Sequence, residues 1–144
     1  RFKLDPPDIG REQQWYKPDF DDSEWRTDVP IESSWKKHIE ENYNGVGWYR
    51  RHIPVPEVPE WDRVYLHFEG VDEEAWVWMN GSFVGEHAMG KEGWNIPFIL
   101  DVTEVVKLGA ENHIAVKAKN TTGGAGIWRP VRLRILNTDI LNQP

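Results

Sequence analysis

Hydrophobic and polar positions alternate with a period of two along much of the chain. Arg63–Glu69 reads RVYLHFE, with Val64, Leu66 and Phe68 apolar between polar neighbours. That is the signature of a strand with one buried face. His113–Lys119 (HIAVKAK) and Val131–Leu136 (VRLRIL) repeat it, turning Ile114, Val116 and Ala118, then Val131, Leu133 and Ile135, inward. Ala75–Gly85 reads AWVWMNGSFVG, two short apolar runs joined at Asn80-Gly81. Both residues tolerate positive φ, so the pair predicts a hairpin closed by a type I′ turn. Trp48–Val55 puts Tyr49, Arg51 and Ile53 on one face, and Ile96–Val102 does the same with Phe98, Leu100 and Val102. Each predicts a strand, the first ended by Pro54, Pro56 and Pro59, which cannot donate to a sheet ladder.

The connections are turn-like. Val71–Glu74 reads as a turn or short crossover, Gly90–Asn95 as a loop carrying Trp94, and Gly109–Asn112 as a turn. Asn120–Gly126 is a Thr/Gly loop, and Thr103–Leu108 predicts one helical turn capped by Asp101 or Thr103. Arg1–Asp28 holds neither period for long. It predicts an extended wrap with one short strand near Phe2–Leu4, pinned by Phe2, Leu4, Trp15, Phe20 and Trp25. Ser33-Ser34 caps a short helical turn through Trp35–Ile39, and Asn44–Gly47 reads as a flexible loop. Six to nine short strands separated by turns predict an all-β fold, an antiparallel β-sandwich, with its loops gathered at the two ends. One domain spans 1–144, with 1–47 the loop-rich wrap and 48–136 the main strands. The tail Asn137–Pro144 reads as a linker or a last edge strand. Trp76 and Trp78 share a face opposite Ala75, Val77 and Met79, and the wrap is expected to cover them, because an exposed two-indole patch invites association.

Composition narrows the partners. A net charge of -7 argues against nucleic acid, and the absence of an 18-residue apolar run against a membrane helix. There are no cysteines, hence no disulfides and no thiolate metal site. The sequence opens on Arg1 with no visible signal peptide, as expected of a mature segment or an excised domain. The compartment stays open, with a secreted or periplasmic setting favoured over the cytoplasm. Nine of the 144 residues are Trp, more than the core of a small sandwich absorbs, so several should be partly exposed. A flat indole with a polar handle suits the C–H face of a pyranose.

Candidate chemistry is sparse. Glu73-Glu74 and Glu40-Glu41 are adjacent in sequence, so their carboxyls diverge, and they read as solvated surface rather than as a glycosidase pair. No Gly-x-Ser-x-Gly elbow is present. His38, His52, His67, His87 and His113 never fall at metal-ligand spacing, and His67 and His113 are expected on exposed strand faces. Asp19, Asp21 and Asp22 form a solvated turn or cap a short helix at Ser23–Trp25 rather than supplying a calcium loop. Trp94 and Trp128 are the best sugar-stacking candidates, although Gly126-Ile-Trp-Arg-Pro also serves as an anchor for the last strand. Arg129 suits sugar hydroxyls or a carboxylate, or else pairs with Asp72 or Glu69.

Several runs together carry a resemblance. GWYRR at Gly47–Arg51 with Pro54, RVYLHFEGVDEEAWVWMNGSFVGEH at Arg63–His87, PFILDVTEVV at Pro97–Val106, ENHIAVKA at Glu111–Ala118 and GIWRPVRL at Gly126–Leu133 occur in order. With the opening FKLDPPDIG and FDDSEWRTDVPIESSW, the chain resembles the N-terminal sugar-binding domain of family 2 glycoside hydrolases, the β-galactosidase, β-glucuronidase and β-mannosidase type. The resemblance implies a jelly-roll sandwich of the galactose-binding-like type. It places the catalytic carboxylates in a separate (β/α)₈ barrel of a parent chain, so this chain is expected to be a non-catalytic carbohydrate-binding domain, or else a structural buttress for the barrel. It also puts Asn44 and Asn120 near the barrel's sugar site, although Asn-Thr-Thr-Gly-Gly stands where some members carry an acidic residue. His87, with Asn44, Asn120 and Arg129, completes the hydrogen-bonding candidates. A Ca²⁺ ion is known in galactose-binding-like modules, but no stretch here has the ligand spacing for one, so no cofactor is expected.

Overall fold

A computed structural model describes residues 1–39 and 42–139. Glu40-Glu41 and the tail from 140 onward lie outside the described residues. Strands β1 (Phe2–Leu4), β2 (Gly45–Val55), β3 (Arg63–Phe68), β4 (Val71–Asp72), β5 (Glu74–Met79) and β6 (Ser82–His87) are followed by β7 (Phe98–Asp101), β8 (Ala110–Asn120), β9 (Gly126–Ile127) and β10 (Val131–Leu136). They form a five-stranded sheet in the order β1-β2-β8-β5-β6, a three-stranded sheet β10-β3-β7, and the small pair β4-β9. Every pairing is antiparallel. The two larger sheets face each other across a core that includes Tyr49, Val64, Leu66, Phe68, Val77, Leu100 and Val116. The fold is thus the expected antiparallel β-sandwich.

The Asn80-Gly81 hairpin forms as its sequence predicts, with φ of 52° and 84° at the two turn residues. Asn80 also does what no turn rule requires. Its Nδ2 donates to Val105 O and Asn112 Oδ1, and its Oδ1 accepts from His113 N, which ties the hairpin to β8 and the loop before it.

The wrap covers the outer face of the five-stranded sheet. Trp15, Trp25, Trp48 and Trp78 form a second buried cluster there with Val46 and Ala115. Tyr16 stacks on Trp78 at 5.0 Å, and Trp76 is half-buried, so the Trp face of the hairpin is covered as expected. Arg50, 2% exposed, fastens the wrap. Its Nε pairs with Asp22 at 2.9 Å, and its other nitrogens donate to the carbonyls of Trp15, Lys17 and Phe20. Asp5 caps the chain reversal, accepting from Ile9 N, Gly10 N and Trp48 Nε1.

Several sequence expectations need correction. Gly45–Gly47 is not a loop but the start of β2, because Ala118–Asn120 offers it a ladder partner. Val71-Asp72 is a strand pairing Gly126-Ile127, not a turn. Gly90–Asn95 is a 3₁₀ turn rather than irregular loop. Residues 110–112 open β8, leaving the turn at 108–109. Two turns do follow expectation: Val102 O accepts from Val105 N and Val106 N in a single helical turn with Asp101 Oδ1 accepting from Thr103 N, and residues 23–24 take the turn form, Asp21 accepting from Ser23 N. Asp22 is not part of a solvated cluster, since it serves Arg50. His113 lies on the sheet's outer face but is 2% exposed, because the wrap closes that face.

Candidate functional site

At one end of the sandwich an open cleft of about 510 Å³ is bounded by four short stretches. They are the 3₁₀ turn Trp35–Lys37 with the residues before it, the β4–β5 junction, the 3₁₀ turn 90–95, and the loop from β8 into β9. The pairing of β4 with β9 (Val71↔Ile127, Asp72↔Gly126) sets Asp72 against the 121–125 loop and brings Trp128 out at the rim.

Glu73 organises that loop. It is 3% exposed, not solvated surface, and its carboxylate accepts from Thr121 Oγ1 at 2.8 Å and from Thr121 N and Thr122 N at 3.3 and 3.2 Å. Glu74 goes elsewhere and accepts from Gly90 N. Ser34 Oγ accepts from Ala125 N at 3.1 Å and from Lys36 N, fastening the far end of the loop to the first 3₁₀ turn.

Trp94 and Trp128 meet at the rim. Their rings stack at 5.6 Å with 24° between planes, and Trp128 Nε1 donates to Trp94 O at 2.9 Å. The bond satisfies the one polar atom of Trp128 and fixes the pair. Trp94 remains 46% exposed. The Arg129 guanidinium lies 4.0 Å from the Trp128 ring centre, a cation–π contact. Arg129 does not pair with Asp72 or Glu69; Glu69 takes Arg132 instead.

Asp72 is the residue that sequence reasoning missed. It lines the cleft half-buried, and among the described residues its carboxylate has no hydrogen bond or ion pair. Burial, then the charge of Glu73, pushes its carboxyl up from 3.8 to about 6, with Lys36 pulling weakly the other way. Gly124 lies close, and a Cβ there would sit 3.0 Å from Asp72 Oδ2, so a side chain at that position would push the carboxylate aside by a few tenths of an ångström. The signal was present in Val71-Asp-Glu-Glu74, but two strand residues cannot be told from a turn without their partner. Lys37 and Lys91 complete the charged lining with Glu32.

The other candidates sit behind or beside the cleft. Asn44 and Asn120 bond each other, Nδ2 of Asn120 donating to Asn44 Oδ1 at 2.9 Å, and Lys36 Nζ donates to the same oxygen at 2.5 Å. Asn120 is 1% exposed. His87 is buried under the 90–95 turn, donating through Nε2 to Gly93 O at 3.0 Å and stacking on Phe98. It positions the segment that carries Trp94. Among the described residues no group of three or more His, Cys, Asp or Glu is arranged to hold a metal ion, and no helix is long and apolar enough to cross a membrane.

Comparison with known proteins agrees with this architecture. The model of the family described as glycosyl hydrolases family 2, sugar binding domain, matches residues 1–128. A beta-galactosidase of Thermoanaerobacter pseudethanolicus is 39% identical over 141 residues, covering 85% of this chain and 18% of that protein. A beta-glucuronidase of Paenibacillus borealis is 30% identical over 124 residues, covering 83% of this chain and 20% of its own length. Among solved structures, the beta-glucuronidase of Ruminococcus gnavus shares the fold, with a TM-score of 0.80 over 94% of this chain and 27% of that one at 21% identity. A family 2 member from Bacteroides cellulosilyticus is 30% identical with a TM-score of 0.73, over 94% of this chain and 19% of that one. The chain thus spans about a fifth of the curated relatives it matches. It belongs to the sugar-binding domain family of the family 2 glycosyl hydrolases.

Proposed function

We propose that this chain is a non-catalytic carbohydrate-binding domain of a glycoside hydrolase whose catalytic carboxylates lie in another domain of the parent chain. The observation that carries the reading is the Trp94–Trp128 pair, an indole left 46% exposed on the rim of the cleft and locked in place by its neighbour. A pyranose laid on Trp94 turns its hydroxyls toward Asp72, Lys37, Lys91 and the backbone of the 122–125 loop. Glu73 and Glu74 make no glycosidase pair, because Glu73 is engaged by Thr121 and Thr122 and Glu74 by Gly90. A shallow, open cleft buries little of a ligand, so affinity should be modest, in the millimolar to high micromolar range, roughly 4–6 kcal/mol.

Calorimetric titration of the chain with methyl β-glycosides and plant and algal oligosaccharides tests this. Binding to at least one sugar is expected, weakened about tenfold or more in Trp94→Ala. Trp94 is exposed enough that its loss leaves the fold intact. Silence across the panel from a folded chain would leave the alternative, a sandwich that only buttresses its catalytic barrel.

A further inference from the structure

We propose that Asp72 is the polar anchor of the cleft, its carboxylate accepting hydrogen bonds from two adjacent hydroxyls of a neutral pyranoside that stacks on Trp94. The inference rests on the sugar-binding reading above and names the chemistry of recognition within it.

Three observations favour Asp72 over the other polar groups of the cleft. First, it is free to act. Ionised carboxylates are acceptor-only, with room for a bidentate pair of donors, and among the described residues none is supplied to Asp72. Glu73 next to it already receives the Thr121 and Thr122 donors. Second, Asp72 is rigidly presented. It ends β4, is held by the β4–β9 pairing, and has Gly124 close beside its carboxylate. Lys37 and Lys91, at the ends of long flexible stems, carry donors without fixed direction. Third, Asp72 and Trp94 line the same cleft from different stretches of chain, so one bound ring can meet both. A hydroxyl pair replaces the water that a half-buried carboxylate otherwise holds, and hydrogen bonds to charged acceptors are the strong ones.

The charged groups around Asp72 come from every bounding element: Glu73 beside it, Lys36 and Lys37 on the first 3₁₀ turn, Glu32 before it, and Lys91 on the second. Binding to the ionised form lowers the proton affinity of Asp72, so affinity for a neutral sugar should rise with pH as Asp72 ionises.

The test is titration of the 144-residue chain and of Asp72→Asn with methyl β-D-galactopyranoside, methyl β-D-glucopyranoside and methyl β-D-glucuronide at pH 4.5 and 7.5. Carbon-detected NMR would follow the Asp72 carboxyl with and without saturating sugar. Wild type should bind a neutral glycoside about tenfold more tightly at pH 7.5 than at pH 4.5. Asp72→Asn should bind at least tenfold more weakly at pH 7.5 and lose the pH dependence, and the Asp72 midpoint should move down on binding. Asp72→Ser, which shortens the side chain and removes its charge, should behave as Asp72→Asn does if the charge is what matters. Binding that neither substitution weakens, with a flat pH profile and an unmoved midpoint, overturns this inference and leaves sugar binding standing. A wild-type chain that binds none of the three overturns both.

Discussion

Asp72 is kept in the cleft at the expense of stability. Its carboxyl is raised from 3.8 to about 6, so the folded chain holds the proton more tightly than the unfolded chain does. The stabilisation this brings is fully present below pH 3.8 and is lost as pH rises through 6. At neutral pH Asp72 is therefore a half-buried charge beside Glu73, without a compensating partner among the described residues. Asp72→Asn should raise stability at pH 7.5 by about 1 kcal/mol and the melting temperature by about 3 °C, solvent at the open side having cut the full effect down. At pH 3.5 the two proteins should melt together. A gain of equal size at both pH values would show that charge is not the cause. The same substitution is expected to weaken sugar binding, and a variant that gains stability while losing affinity would display a trade between the two.

At the scale of elements, the wrap hangs on Arg50. Burying Trp15 and Trp25 removes on the order of 200 Å² each from water, roughly 5 kcal/mol apiece as an upper figure. Arg50 gathers three carbonyls of that segment, at Trp15, Lys17 and Phe20, into a shape that delivers both indoles. Arg50→Met keeps much of the apolar stem but takes a charged donor away from Asp22 and from three carbonyls, and should cost about 3 kcal/mol. A lowered urea midpoint and faster protease cleavage between residues 5 and 28 would report it; an unchanged cleavage pattern would argue against Arg50 as the fastener. The hairpin at Asn80 and the alternation of β3, β8 and β10 were legible because their periods are local. The shape of the wrap was not, because Arg50 reaches partners 28 to 35 residues away. Likewise Gly45–Gly47 and Val71-Asp72 become strand only through distant ladder partners.

For the whole molecule, two groups shifted by burial, Asp72 and His113, act on stability with opposite signs between pH 4 and 6.5. Burial lowers His113 from 6.5 to about 4, with Arg50 and His52 adding to the shift. The unfolded chain takes up this proton first, so the contribution of His113 is present above pH 6.5 and lost as pH falls through 4. Asp72 gains over much of the same window, which should flatten the wild-type stability curve between about pH 4 and 6. Neither ring nitrogen of His113 has a partner among the described residues. His113→Leu should thus raise stability by about 1 kcal/mol at pH 7 and by more at pH 5, read from urea midpoints at the two pH values. No difference between the two would show that the imidazole is not held neutral. Of the cleft, Trp94 and Trp128 stood out in the sequence as aromatics in loop settings at strand ends. Asp72, Glu73 and Thr121 did not, because what joins them is the β4–β9 pairing, and no local pattern encodes it.

The wrap also fixes an order of events in time. β1 and the Trp15–Trp25 segment are made before the other strands, yet the surface that receives them is built from β2, β5 and β8, and β8 closes only at Asn120. A ribosome must deliver most of the domain before those indoles have anywhere to go. Such non-local closure is slow, and during the wait the nascent chain shows an oily aromatic stretch to its surroundings. The segment that seals the finished sandwich is thus the part most in need of shelter while the molecule is being made.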